Sequence, residues 1–181
     1  MATDRIVKRL TPGDLREVQD GIFYTAEPLV VVDGAVIEFL KSHARSTDSQ
    51  KARLCAHSSP EATQHDMLIV HLRDAYVAPH RHKNKSETFL ILEGFAEALM
   101  FDSQGAHTDA IPMGPAGSDR SFFYRMPPAQ YHSLHIESDV LVFVESTKGP
   151  FRAEDSENAP WAPPPADVAA GRAFISGLLA A

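Results

Sequence analysis

Apolar positions along the chain keep two different rhythms, and the change between them divides it. Over residues 33–45, Val36, Ile37, Leu40 and Ala44 recur at helical spacing, so one stripe of a helix packs on a neighbouring layer. Asp33 offers the capping oxygen, and the polar run ending at Lys51 stops the helix. Residues 29–32 read as a short strand before it. Thr11-Pro12-Gly13-Asp14 is a further start signal, with a cap, a proline at the first helical position and an acid three residues later. From Ala52 the period falls to two. Residues 52–57, 64–72, 75–82, 87–92, 96–102, 121–126, 131–137 and 140–146 read as strands, separated by turn material such as Ser58-Ser59-Pro60 and Glu93-Gly94. With no helices between them, they predict an antiparallel sandwich or barrel and not a βαβ sheet.

Residues 111–119 contain Gly and Pro and read as a surface loop. Beyond Ser146 the chain turns at Lys148-Gly149-Pro150-Phe151, and Pro160 with Pro163 to Pro165 rules out a central strand. Trp161 pins this Pro-rich segment to the domain, and residues 167–179 form a short terminal helix. The expected organisation is an N-terminal extension (1–28), a strand and helix packing on the barrel (29–50), the barrel (51–147) and a C-terminal extension (148–181).

Composition narrows the function classes. The chain has 181 residues, 44% of them hydrophobic, which is enough for one full core. A net charge of −7 with no basic cluster argues against nucleic acid or an anionic membrane as partner. The charged N-terminus has no apolar stretch after it, so no export signal is expected. The single cysteine, Cys55, allows no intramolecular disulfide and reads as a small buried hydrophobe. Together these predict a cytoplasmic protein. Exposed sheet edges predict a homodimer, with residues 29–32 and the following helix as the elements that cover them.

Nine histidines are the unusual count, and the stretch from His80 to Glu87 concentrates them. In a strand, His80 and His82 project to one face. Lys83 to Ser86 turn the chain back, and Glu87 begins the returning strand beside His82. Two imidazoles and a carboxylate suit one divalent first-row ion (Zn, Fe, Mn or Ni), with positions left for water or substrate. His132, after Pro127-Pro128, is the best fourth ligand; His135 lies on the opposite face. His71, between Val70 and Leu72, reads as hydrogen-bonded at the core edge, and His43 and His107 as solvated. Alternation places Tyr76 on the face of His80, and Phe89 and Ile91 on the face of Glu87, giving the ion a partly aromatic wall. Arg81 points away. Arg53, Gln64, Tyr124 and Arg125 are the candidate substrate-binding residues. His57, Tyr76 and Tyr131 are the candidates for moving a proton.

These residues carry a resemblance. His80-x-His82-x4-Glu87-x6-Gly94 resembles the first cupin motif and Pro127-x-Ala129-x2-His132 the second. The sequence departs from the pattern at Asp74 and Ala129, where the motifs have Gly, and at Ile136, where Asn is usual. Arg53-Leu54-Cys55-Ala56-His57, Tyr76-Val77-Ala78-Pro79-His80, Lys85-Ser86-Glu87, Phe123-Tyr124-Arg125, Gly149-Pro150-Phe151-Arg152 and Ala159-Pro160-Trp161 are similar to the WbuC-type cupin-fold metalloproteins, over a span from about Leu29 to Pro165. The resemblance implies a single mainly β cupin domain (a small antiparallel barrel or jelly roll), a His/His/Glu/His metal site and an association with bacterial surface-polysaccharide biosynthesis. Three functions stay open: a metalloenzyme with isomerase- or epimerase-like chemistry on a sugar or sugar nucleotide, an Fe(II) oxygenase, and a non-catalytic metal-dependent module for a small-molecule ligand.

Overall fold

The computed structural model describes residues 7–179; residues 1–6, the first part of the charged N-terminal stretch, and residues 180–181 lie outside them. Strands are numbered in chain order. One sheet contains β1 (Leu15–Gln19), β2 (Ile22–Thr25), β3 (Lys51–Cys55), β4 (Gln64–Leu72), β6 (Glu87–Glu93), β9 (Phe123–Met126) and β11 (Val140–Lys148). Their spatial order is β1-β2-β3-β4-β11-β6-β9. The other contains β5 (His80–His82), β7 (Ala96–Phe101), β8 (His107–Met113), β10 (Tyr131–Ile136) and β12 (Ser156–Asn158), in the order β12-β5-β10-β7-β8. Every neighbouring pair is antiparallel except β2 with β3. The protein is thus mainly β, as the spacing of strands and turns predicts. The barrel is not closed, however. No ladder joins the two sheets among the described residues, and each keeps two edge strands.

Three apolar layers follow from strand alternation. Between the sheets lie Met67, Ile69, Phe89, Ile91, Leu134, Leu141 and Phe143. Outside the seven-stranded sheet, helix α1 (Gly34–Ala44) buries Val36, Leu40 and Ala44 against Ala52, Leu54, Leu68, Val70 and Val142. Its cap is Asp33, which accepts from the Ala35 amide at 3.0 Å. Outside the five-stranded sheet, helix α2 (Val168–Leu179) lays Ile175 and Phe174 over Leu99, Phe101 and Tyr131, with Trp161 in the same layer. Burying either stripe removes several side chains from water, at about 1.5–3 kcal/mol for each large one.

Several sequence expectations shift. Residues 29–32 form no strand; among the described residues, the Val31 carbonyl accepts from the Leu10 amide at 2.8 Å without a ladder following. The Thr11 signal yields only one turn, Pro12–Asp14, before β1 begins. Of residues 75–82 only His80–His82 is strand, because the stretch ending at Pro79 gives its carbonyls elsewhere: Val77 accepts from the Ser133 hydroxyl and Pro79 from the Ala159 amide. Residues 107–113, expected in part as loop, form the edge strand β8, where Pro112 is tolerated because an edge leaves N–H positions unpaired.

Gly94 ends β6 with φ +86°, and a β-carbon there would collide with the Val140 carbonyl. Gly94→Ala should therefore lower the urea unfolding midpoint, by about 1–3 kcal/mol of stability. Coincident midpoints for variant and parent would show that the turn relaxes freely.

Candidate metal centre

β5 and β10 are paired with His132 directly opposite His80, so strand register alone puts two imidazoles side by side on the inner face. His82, two residues on, shares that face. Glu87 comes from the other sheet, at the start of β6. The four residues offer ligand atoms that all lie within 4.8 Å of one another. Metal–ligand bonds of about 2.0–2.2 Å set ligand atoms roughly 3–4.4 Å apart, so small closure suffices to share one ion. Glu87 and His132 are buried.

The outer nitrogen of each ring is already committed. His80 Nδ1 lies 2.9 Å from the Ala78 carbonyl and His132 Nδ1 3.0 Å from the Gln130 carbonyl, so both must carry the proton on Nδ1. His82 Nδ1 is 3.0 Å from the Ser156 hydroxyl. The two carbonyls fix the tautomers of His80 and His132 and leave Nε2 as the inward-facing donor atom, while the Ser156 hydroxyl, which can donate or accept, holds the His82 ring with Nε2 inward. His82 Nε2 is 3.0 Å and His132 Nε2 3.6 Å from the same Glu87 oxygen. His132 Nε2 faces a carboxylate while its Nδ1–H is committed to a carbonyl, so the space between that ring and Glu87 calls for positive charge, either a second proton or a metal ion.

The local electrostatics agree. Burial, then the neighbouring His132, pushes His80 down to about 3, so this ring stays neutral and competent as a ligand. Burial alone would push Glu87 up, but the His132 and His82 rings override it and hold the carboxyl below the usual range. For His132 burial is in turn outweighed by Glu87, and its pKa rises.

The cluster opens into a cavity of about 310 Å³ that also receives Arg53, Tyr124, Lys51, His71 and Glu145. A second recess, about 450 Å³, shares Arg53, His80 and Glu145 and reaches His82 and His57. Arg53 and Tyr124 both line the cavity, and Tyr124 stacks on Phe89 at 5.2 Å. His57 lies in the outer recess, stacked on His65 at 3.9 Å with Nδ1 3.2 Å from the Asp66 carbonyl.

The remaining candidates do not face the cavity. Tyr76 is buried beneath α2 and donates to the Pro163 carbonyl at 2.8 Å, since Pro79 breaks the alternation that would have linked it to His80. Tyr131 immediately precedes His132 and so points the opposite way, donating to Glu157 at 3.2 Å under the Arg81 guanidinium. Arg125 alternates with Tyr124 and reaches Ser86 on the surface. Gln64 is exposed and donates to Asp66 at 2.9 Å. Arg81 pairs with Glu157, away from the cluster as expected.

Three residues were missed. His71 lines the cavity with a buried Nδ1 that has no partner, in place of the expected core-edge hydrogen bond. Lys51 donates to the Tyr76 carbonyl inside the same cavity. Glu145 shares a face with Phe143, where burial and then Glu87 raise its carboxyl to about 8. An acid on the apolar face of residues 140–146 was the available signal for Glu145.

A family profile described as a domain of unknown function (DUF6016) matches residues 32–113. No curated protein matches. Among solved structures, the chain is similar to the nucleoside dehydratase Pac13 of Streptomyces at 12% identity, covering 62% of this chain and 80% of that one, with a TM-score of 0.46. It is similar to an oxalate decarboxylase of Lactobacillus farciminis at 16% identity, covering 53% and 26%, with a TM-score of 0.43. Procruciferin of Brassica napus matches at 11% identity over 49% of this chain and 21% of that one, with a TM-score of 0.41. The chain thus spans about a fifth to a quarter of the length of the last two.

Protonation competes with metal at Nε2, so an ion bound here should be held above pH 6 and released as the pH falls through about 6. Elemental analysis of the purified protein after dialysis at stepped pH checks this, with close to one first-row divalent ion per chain at neutral pH. Retention unchanged down to pH ~4 would contradict imidazole ligation.

Proposed function

We propose that the protein is a metalloenzyme acting on a small polar substrate, a sugar or sugar nucleotide, with His80, His82, Glu87 and His132 holding one divalent first-row ion. The observation that carries this reading is the set of three imidazoles whose Nδ1 atoms are engaged, leaving their Nε2 atoms turned toward one buried carboxylate. A bound ion would supply Lewis acidity toward a carbonyl or a pair of hydroxyls. The cavity wall of Phe89, Phe143, Ile69 and Leu134 lowers the local dielectric beside the cluster, which strengthens the charge interactions there. Arg53 and Tyr124 orient the substrate. His57, with Nδ1 turned to the Asp66 carbonyl, keeps a free Nε2 lone pair in the outer recess and moves the proton of an isomerase- or epimerase-like step. The resemblance to WbuC-type proteins supports the choice of sugars.

The test uses the metal-loaded full chain with a panel of sugars, sugar phosphates and nucleotide sugars in D2O, followed by proton NMR. Loss of one substrate C–H signal by solvent exchange, or conversion to an isomer, is the expected result. His82→Ala should abolish both turnover and metal retention while circular dichroism stays native, and His57→Gln should slow turnover about 10²–10⁴-fold with metal retained. A panel with neither exchange nor conversion would overturn the reading. Consumption of oxygen by an iron-loaded sample would transfer the site to oxygenase chemistry.

A further inference from the structure

Among the described residues, the inner face of β3 carries charge that no ion pair answers. Ala52 and Leu54 are taken by the layer under α1, so Lys51 and Arg53 must face inward. Register then sets His71 directly opposite Lys51, and Ile69 opposite Arg53. All three polar side chains line the cavity that holds His80, Glu87 and His132.

Two cations two residues apart on a water-poor wall repel each other and lose hydration. Burial, then Arg53, pushes Lys51 down to about 8, which is the mark of a missing counter-charge. Among the described residues, Lys51 Nζ has only the Tyr76 carbonyl. Arg53 Nε and His71 Nδ1 are buried with no hydrogen-bond partner at all. Asp20 and Glu145 also line the cavity, yet neither forms an ion pair with Lys51 or Arg53; Arg53 draws on Glu145 through space, but burial and Glu87 still raise that carboxyl to about 8, leaving it uncharged at neutral pH. Buried donors are rarely left orphaned, so water, an ion or a ligand group must take these when the cavity is filled.

We propose that Arg53, Lys51 and His71 form an oxyanion subsite that seats a carboxylate or phosphate of the substrate, with the rest of the molecule reaching the His80/Glu87/His132 end. The Arg53 guanidinium and the Lys51 ammonium hold the oxygens, and the neutral His71 donates through Nδ1. At about 310 Å³ the cavity has room for one anionic group and a monosaccharide-sized body. This assignment rests on the metal reading only for which end of the ligand reacts. Anion binding itself needs no metal.

The test is therefore made on the metal-stripped full chain, by NMR titration with inorganic phosphate and, separately, with acetate. Saturable binding of at least one is expected, with shifts at Lys51, Arg53 and His71, and the tighter of the two names the group. Lys51→Met and Arg53→Gln should each weaken binding at least tenfold. Lys51→Met relieves a buried charge and should melt no lower than the parent at pH 7, so its loss of binding is not a loss of fold. His82→Ala should bind the anion as the parent does while losing metal. The proposal is overturned if neither anion saturates, or if both subsite variants bind as tightly as the parent. Metal loading of Lys51→Met, unchanged in either case, keeps the metal reading separately testable.

Discussion

A carboxylate withdrawn from water between two sheets must find positive charge or donors, and Glu87 is where this protein meets that constraint. The effective penalty for an uncompensated buried ion is several kcal/mol, comparable to the whole net stability of a domain this size. Glu87 offsets it by facing His82 and His132, with His80 completing the group. Those rings cannot turn away, because their other nitrogens are engaged by the Ala78 and Gln130 carbonyls and by Ser156. The polar cluster is consequently preorganised by main-chain contacts from segments flanking each histidine, and β12 earns its place by presenting Ser156 to His82.

What selects the inner face is the packing on the outer ones. A strand shifted by one residue exchanges all its inward and outward side chains. α1 prevents this for β3 and β4 by accepting only Ala52, Leu54, Leu68 and Val70, which leaves Lys51, Arg53 and His71 inside. α2 and Trp161 do the same for β10 by taking Tyr131, so that His132 faces the centre. The helices thus touch no candidate ligand, yet they decide which residues the cavity receives.

The metal candidates were legible because they need only two local rules, alternation and a four-residue turn, plus one distant strand. The sequence reads His80, His82 and Glu87 as one hairpin; in the structure the turn instead crosses between sheets, β5 pairing with β10 and β12 and β6 with β9 and β11, yet the three side chains still converge, and His132 follows the turn before it. Tyr131 fails by the same parity that correctly separated His135 from His132. Tyr76 fails because Pro79 interrupts the strand, so counting by twos loses its meaning there. His71 lies between Val70 and Leu72, in a strand apolar on both faces, and Lys51 opens its strand beside Gln50, so only cross-strand register shows which face each takes; Glu145 alone carried a local signal, as an acid on an apolar face. β1 was invisible for the opposite reason: Arg16, Glu17 and Gln19 are exposed at a sheet edge and carry no hydrophobic rhythm. Ala129, where the cupin pattern has Gly, adopts φ +67° nonetheless, its amide held by the His82 carbonyl at 2.7 Å. The turn geometry survives the substitution at a cost of about 1–2 kcal/mol.

The distribution of polarity inside the cavity bears on selectivity. Its lining combines two polar groups, Lys51/Arg53/His71 and His80/Glu87/His132, with the apolar side chains of Ile69, Phe143, Phe89 and Leu134. A molecule lacking either polar end would fill the space yet leave buried donors or acceptors without partners. Each such group costs about 1–3 kcal/mol, roughly a factor of five to more than a hundred in affinity. An added methylene in the apolar middle changes binding by about 0.8 kcal/mol, which is under fivefold. Discrimination in such a cavity therefore rests on the groups at the two ends of the ligand and on the distance between them, far more than on the shape of the body that joins them.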